Sequence, residues 1–255
     1  MSAFVKRNLE DHIISLQLDR GKSNAMHTEM IEELSIAFQE IENDPNIRAA
    51  ILTGKEDFFS SGLDLIELFS YNRQEMRTFW TKFIDLVYHL MNCSKPVVCS
   101  ITGHSPAGGC VLALSADYRI MAEGDYVIGL NEVPVGIIVP HSIASLYAFW
   151  IGTANASRFL LEGTLMKPKE AQSVGLVDQV VPFQQIHTAA TRQLKSYLQF
   201  DQHAWRTSKR YIRQDVLKAI AETTDTVIEE VLEQWWRPAT RNRLQSIIET
   251  LSTKR

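Results

Sequence analysis

Residues 103–109 read GHSPAGG, between an apolar run, KPVVCSI (95–101), and an Ala- and Leu-rich run, CVLALSADYRI (110–120). A strand feeds a glycine-rich turn that opens a helix. What such a turn holds decides both the architecture and the chemistry. Three occupants compete: a phosphate, a nucleophilic serine, or an oxyanion that forms only during reaction.

A nucleoside-triphosphate loop needs G-x-x-x-x-G-K-[ST]. GHSPAGG has no Lys in place, and the fragment GKS at 21–23 has Leu16 where the first Gly belongs. A nucleophile elbow reads G-x-S-x-G, and Gly103, His104 and Ser105 fit its first three positions. Ala107 then occupies the last Gly position. Pro106 has no N–H where the residue after the nucleophile donates one to the oxyanion hole. The third reading uses the backbone. Gly108 and Gly109 at a helix start leave N–H groups unpaired at the positive end of the helix dipole, open to close approach. Two adjacent glycines alone would more simply mean tight packing of helix on strand. A second stretch, FFSSGLDLIEL (58–68), changes that balance, because it also follows an apolar strand, AAILTG (49–54), and precedes a helix-like segment. Two such turns can aim two N–H donors at one oxygen, which is an oxyanion hole.

Outward from these turns, DHIISLQLD (11–19) alternates as a strand. In 26–44, Ile31, Leu34, Phe38 and Ile41 recur at helical spacing, with Thr28 as a candidate cap. IRAAILTG (47–54) is a buried strand, and 75–91 is an amphipathic helix with Met76, Trp80, Phe83, Val87 and Leu90 on one stripe. DYRIMAEGDYVIGL (117–130) predicts two short strands about Glu123–Gly124, and VGLVDQVV (174–181) a late strand after the helix-like KPKEAQS. Interleaved strands and helices predict an α/β architecture over residues 1–184. From 185 to 255 the periodicity is helical only, broken near Trp236–Pro238. These helices are expected to pack on the main domain or on a neighbouring subunit.

The chain has 255 residues, 45% hydrophobic and 22% charged, with a net charge of −4. That balance leaves no basic footprint for nucleic acid. No apolar run approaches the roughly 20 residues needed to span a bilayer, so no membrane partner is expected. The opening MSAFVKRNLEDHIISL has no apolar leader core, and STKR at the end matches no retrieval signal. Cys93, Cys99 and Cys110 lack metal spacing. Buried free thiols in a cytoplasmic protein are the expectation.

FFSSGLDL (58–65), GHSPAGGCVLALSADYRI (103–120), IGLNEVPVGI (128–137) and KEAQSVGLVDQVV (169–181) together resemble the enoyl-CoA hydratase/isomerase, or crotonase, family over about residues 5–185. The resemblance implies a spiral of ββα units with a helical C-terminal region used in assembly as a homotrimer or hexamer. It implies an acyl-CoA thioester substrate, CoA being part of the substrate, with no metal or redox cofactor. It assigns the two N–H donors for the thioester enolate to Leu63 and Gly108. Asn24, Ala25 and Met26 match a segment of the CoA pocket, and Asp64 and Leu65 would lie beside the CoA arm. Ser61, Pro106, Val111 and Asn131 complete the expected substrate contacts.

The family's hydratases carry two Glu, one in GGCE and one in GxPE, which hold a water between them. Here the first position is Val111 and the second is Glu132. That departure suits a one-base reaction, with Glu132 moving a proton from C2 to C4 of a 3-enoyl thioester in a dry site. Within the family, the stretches around Val111 and Glu132 most resemble the Δ3,Δ2-enoyl-CoA isomerases of fatty-acid oxidation, the mitochondrial type especially. Other crotonase-type reactions and a non-catalytic acyl-CoA-binding role remain as alternatives. His104 reads as a loop or pocket residue, and His141 is a less favoured second acid–base candidate. Phe79, Trp80 and Phe83 read first as core. Trp235 and Trp236 read as packing or subunit contacts, and Lys209 and Arg210 as solvated charge by default.

Overall fold

The computed structural model describes residues 4–223 and 225–252. Met1–Ala3 of the opening segment and Thr253–Arg255 of the terminal STKR lie outside the described residues. The chain starts with a hairpin, β1 (Val5–Glu10) against β2 (Ile13–Leu18), with Glu10 opposite Ile13. Asp11 and His12 make its two-residue turn at φ 49° and 65°, the left-handed pair such a turn requires. The sequence pattern had shown only the second strand. In β1 only Val5 is buried, so this polar edge strand carries little apolar alternation to find.

Then follow α1 (Thr28–Asn43), β3 (Ala49–Thr53), β4 (Asp57–Phe58), α2 (Leu65–Leu68), α3 (Arg73–Asn92), β5 (Val97–Ile101), β6 (Gly103–Pro106), α4 (Gly108–Leu114), β7 (Tyr118–Ala122) and β8 (Ile128–Gly129). After them come α5 (His141–Ile151), α6 (Thr153–Glu162), α7 (Pro168–Ser173) and β9 (Gln179–Val181). The helices α8 (Ile186–Tyr197), α9 (Gln202–Ile212), α10 (Gln214–Ala221), α11 (Asp225–Trp235) and α12 (Pro238–Ser252) close the chain. Thr28 is the first residue of α1 and does not cap it; its hydroxyl meets the Tyr71 hydroxyl at 3.0 Å. Asn72 and Glu75 form a capping box at α3, which fixes where that long helix begins.

β1-β2-β3-β5-β7-β9 form one sheet, parallel except for the first pair, and β4-β6-β8 form a second, parallel sheet. The pairs β3/β4, β5/β6 and β7/β8 each give one strand to each sheet, so the chain winds as a spiral. The large sheet is covered on both faces. Ile51, Val98 and Ile120 meet Ala190 and Leu194 of α8, while Leu52, Cys99 and Met121 join the main core with α1 and α3. Burial on both faces explains why these strands read as continuous apolar runs. All three cysteines are free and buried.

The C-terminal helices pack on their own chain. Asp117, in the α4–β7 connection, accepts from Val97 N–H (2.7 Å) and pairs with Lys209 of α9 (2.7 Å) and with Arg213 (2.9 Å). Arg213 also donates to Met91 O (2.9 Å) and Ala116 O (3.1 Å). Lys209, read from sequence as solvated, is therefore a buried anchor. Among the described residues no helix is long and apolar enough to cross a membrane.

Candidate active site

The second sheet ends where the two glycine turns meet. Gly62, at φ +89°, presses on the other turn: a Cβ there would stand 3.1 Å from Ala107 Cβ and 3.3 Å from Gly108 N. Both the positive φ and that contact call for glycine. Met26 N–H donates to Gly62 O and Asp64 N–H donates to Met26 O, each at 2.8 Å. This bridge leaves the Leu63 N–H between them turned outward, with no partner among the described residues. Gly108 is the first residue of α4, and its N–H has no partner there either, as expected of a first-turn amide. Ala107 before it is held at φ 51°, ψ −125°, a strained conformation costing about 1–3 kcal/mol that clusters at functional sites. Its own N–H is tied to Gly129 O at 2.8 Å.

Beneath the turns lies a polar brace. Asn24, at φ 50°, accepts from Arg20 N–H (2.9 Å) and donates to Phe59 O (3.1 Å) and Phe58 O (3.3 Å). Arg20 donates to Asp64 (2.5 Å), Ala25 O (2.9 Å) and Glu67 (2.9 Å). Asp64 caps α2 by accepting from Ile66 N–H and Glu67 N–H. The Met26 side chain lies against Gly108, where an added Cβ would stand 2.6 Å from Met26 Cε. Asn24, Ala25, Met26 and Asp64, which the resemblance places at the CoA pocket, lie behind the two turns and are not among the residues lining the cavity beside Glu132. The Asn24 amide, the Ala25 carbonyl, the Met26 backbone groups and the Asp64 carboxylate take part in holding the two turns together.

The cavity itself has a volume of about 150 Å³. Ser61, Leu63 and Leu65 line it from the first turn, and Pro106, Gly108 and Val111 from the second. Asn131 and Glu132 enter after β8, and Trp80 and Phe83 of α3 close another side. Glu132 is the one ionisable residue among the described lining residues. Its Oε2 is buried and has no hydrogen-bond partner. Burial pushes its carboxyl up to about 7, against the weaker pull of the backbone amides of Glu132 and Asn131. Val111, where the hydratases carry a second carboxylate, is buried and apolar. Larger hollows of about 410 Å³ beside α9 and about 490 Å³ beside α8 do not adjoin the glycine turns.

Ser105, His104, His141 and Phe79 lie outside the cavity wall. Ser105 is fully buried and its hydroxyl meets no histidine, which removes the nucleophile reading. His104 Nδ1 accepts from Val127 N–H at 3.3 Å. His141 is exposed and faces Ser145 at 3.4 Å. Phe79 is core only, whereas Trp80 and Phe83 serve core and cavity alike. Val135, Ile137, Ile143 and Ile247 also line the cavity and were not singled out from sequence. Val135 and Ile137 stand in the GLNEVPVGI run, while Ile247 has no local signal at all. Among the described residues no cluster of three or more His, Cys, Asp or Glu is placed to hold a metal.

An apolar pocket with a lone buried carboxylate, set against two glycine turns on a ββα spiral, defines a class of protein. The family profile for enoyl-CoA hydratase/isomerase matches residues 8–237, and the chain belongs to that family and has the crotonase fold. It is most usefully set beside the enoyl-CoA delta isomerases. The mouse protein named enoyl-CoA delta isomerase 1, mitochondrial, is 34% identical over 242 residues, covering 94% of this chain and 84% of that protein. Its human counterpart is 32% identical over 234 residues, 91% and 78% of the two chains. The crystal structure of human mitochondrial delta3-delta2-enoyl-CoA isomerase superposes with a TM-score of 0.94 at 30% identity, covering 98% of this chain and 99% of that one. These names correct the cytoplasmic expectation: they point to mitochondria. That expectation had rested on a missing leader pattern and on free thiols, neither of which specifies a compartment.

Proposed function

We propose that this chain is an enoyl-CoA delta isomerase that moves the double bond of a 3-enoyl-CoA thioester to the 2-position. The carrying observation is a cavity lined by Glu132, with its buried Oε2, by the apolar Val111 and by Leu63 and Gly108, whose amides have no partner among the described residues. In this reading the thioester oxygen accepts hydrogen bonds from both amides. Glu132 takes a proton from C2, and the electron pair left behind delocalises into the thioester as an enolate conjugated with C3=C4. The same carboxyl returns the proton to C4, leaving C2=C3 in conjugation. Each backbone donor is worth roughly 10²–10³ in rate. A carboxyl near neutrality is matched to taking and returning a proton at cellular pH. Hydration is disfavoured because it needs a second acid–base group to orient water, and Val111 cannot supply one. CoA enters as part of the substrate, and trimer or hexamer assembly belongs to the same reading.

The test is conjugation of 3-hexenoyl-CoA, followed by the absorbance of the 2-enoyl thioester. Native protein should convert it, and Glu132→Gln should lose roughly 10²–10⁴ of the rate. Binding of acyl-CoA without conversion by the native protein would reject the isomerase assignment.

A further inference from the structure

Glu132 has no side-chain hydrogen bond at Oε2. The polar groups acting on its carboxyl are the backbone amides of Glu132 and Asn131, so its place in the cavity depends on the backbone that carries it. That backbone is a short 3₁₀ turn, Val133–Val135, in which Val135 N–H and Ile137 N–H donate to Glu132 O at 3.1 and 3.0 Å. The turn also brings Val135 and Ile137 to the cavity wall. It has no strand ladder to hold it. Two of its carbonyls instead meet side chains from the C-terminal helices. Gln234 of α11 donates Nε2–H to Gly136 O at 3.1 Å and to Thr240 Oγ1 at 2.9 Å. The Thr240 hydroxyl donates to the same Gly136 O at 3.4 Å. Arg243 donates to Pro134 O at 2.5 Å. The separations in sequence are 98, 104 and 109 residues, so nothing local produces this convergence. Thr240 is buried, where most hydroxyls make a hydrogen bond, and this one does.

We propose that Gln234 and Thr240 are positioning residues for Glu132, holding the turn that carries the carboxylate through the Gly136 carbonyl. Without them that carbonyl turns to water, and the turn gains freedom to swing the carboxylate away from the reacting carbons. The catalytic part of this inference rests on the isomerase reading; the anchoring part does not. A misplacement near 1 Å costs about a hundredfold in rate, which sets the scale of the effect.

The test uses Thr240→Val, which keeps the side chain's shape but removes the hydroxyl, Thr240→Ser, which restores it, and the double variant Gln234→Leu/Thr240→Val. Two readouts are taken on full-length protein: hydrogen exchange at the Val135, Gly136 and Ile137 amides, and kcat and KM for 3-hexenoyl-CoA. In the double variant these amides should exchange faster while the melting of the whole chain stays cooperative. Its kcat should fall about tenfold to a hundredfold with KM little changed, and Thr240→Ser should behave as native. Unchanged exchange overturns the proposal whatever the activity. Faster exchange with unchanged kcat overturns the positioning role. If the native protein does not isomerise, the isomerase reading fails alone, and the exchange result still decides whether the anchor exists.

Discussion

Asp117 and Glu132 are two carboxylates taken out of water and provided for in opposite ways. Asp117, with its side chain 5% exposed, accepts from Val97 N–H and meets both Lys209 and Arg213. Burial pulls the Lys209 ammonium down from its ordinary range, and Asp117 offsets that pull. Glu132 Oε2 has nothing, and its carboxyl rises to about 7. The first carboxylate joins the C-terminal helices to the sheet. The second keeps one oxygen without a partner beside a cavity, where the proposed reaction would have it take and return a proton. A buried charge that is fully partnered marks construction, and one that is not marks chemistry.

Neutralising each carboxylate should therefore shift stability in opposite directions. The larger effect belongs to Asp117→Asn, which strands Lys209 and Arg213 as buried cations and should cost about 3–5 kcal/mol, read from the denaturant midpoint. Next comes Glu132→Gln. Between the unfolded value near 4.5 and the folded value of about 7, the native state binds the extra proton, so native stability falls as pH rises through that window. Above pH 7 the ionised, buried carboxylate costs up to about 3 kcal/mol. Glu132→Gln should thus raise the melting temperature at pH 8 and leave it nearly unchanged at pH 4. The same ionisation should appear as an acid limb in kcat/KM of the native enzyme with an apparent pKa close to 7. If the substitution destabilises the protein at pH 8, the carboxylate has a partner and the contrast fails. The smallest effect concerns the turn beside them. Ala107→Gly removes the strain of φ 51° but loosens the unfolded chain, so stability should change by no more than about 1 kcal/mol. A larger loss would mean that the Ala107 methyl is a packing contact.

Much of this was legible in the chain. The glycine turns and the α/β order are statements about neighbouring residues, and local pattern carries them; that Val111 stands where a hydratase would have Glu is what the family resemblance implies. The brace was not legible. In sequence, Asn24 reads as a ligand contact through the family resemblance, and Asp64 because it follows the first turn's N–H donor. Yet Asp64 is paired with Arg20, 44 residues away, and the Asn24 amide bonds the Phe58 and Phe59 carbonyls, 34 and 35 residues away. Lys209 looked solvated because the partner that buries it lies 92 residues away.

The sequence by itself determined the alternation of strands and helices and the two glycine turns, because backbone conformation and apolar periodicity are set over a few residues. Only the tertiary structure decided which polar groups brace and which are left free, how α12 brings Ile247 to the cavity, and how Gln234 and Thr240 reach the turn of Glu132. Hydrogen bonds and ion pairs depend on distances of a few ångströms between residues tens to a hundred positions apart, and no local pattern encodes that separation.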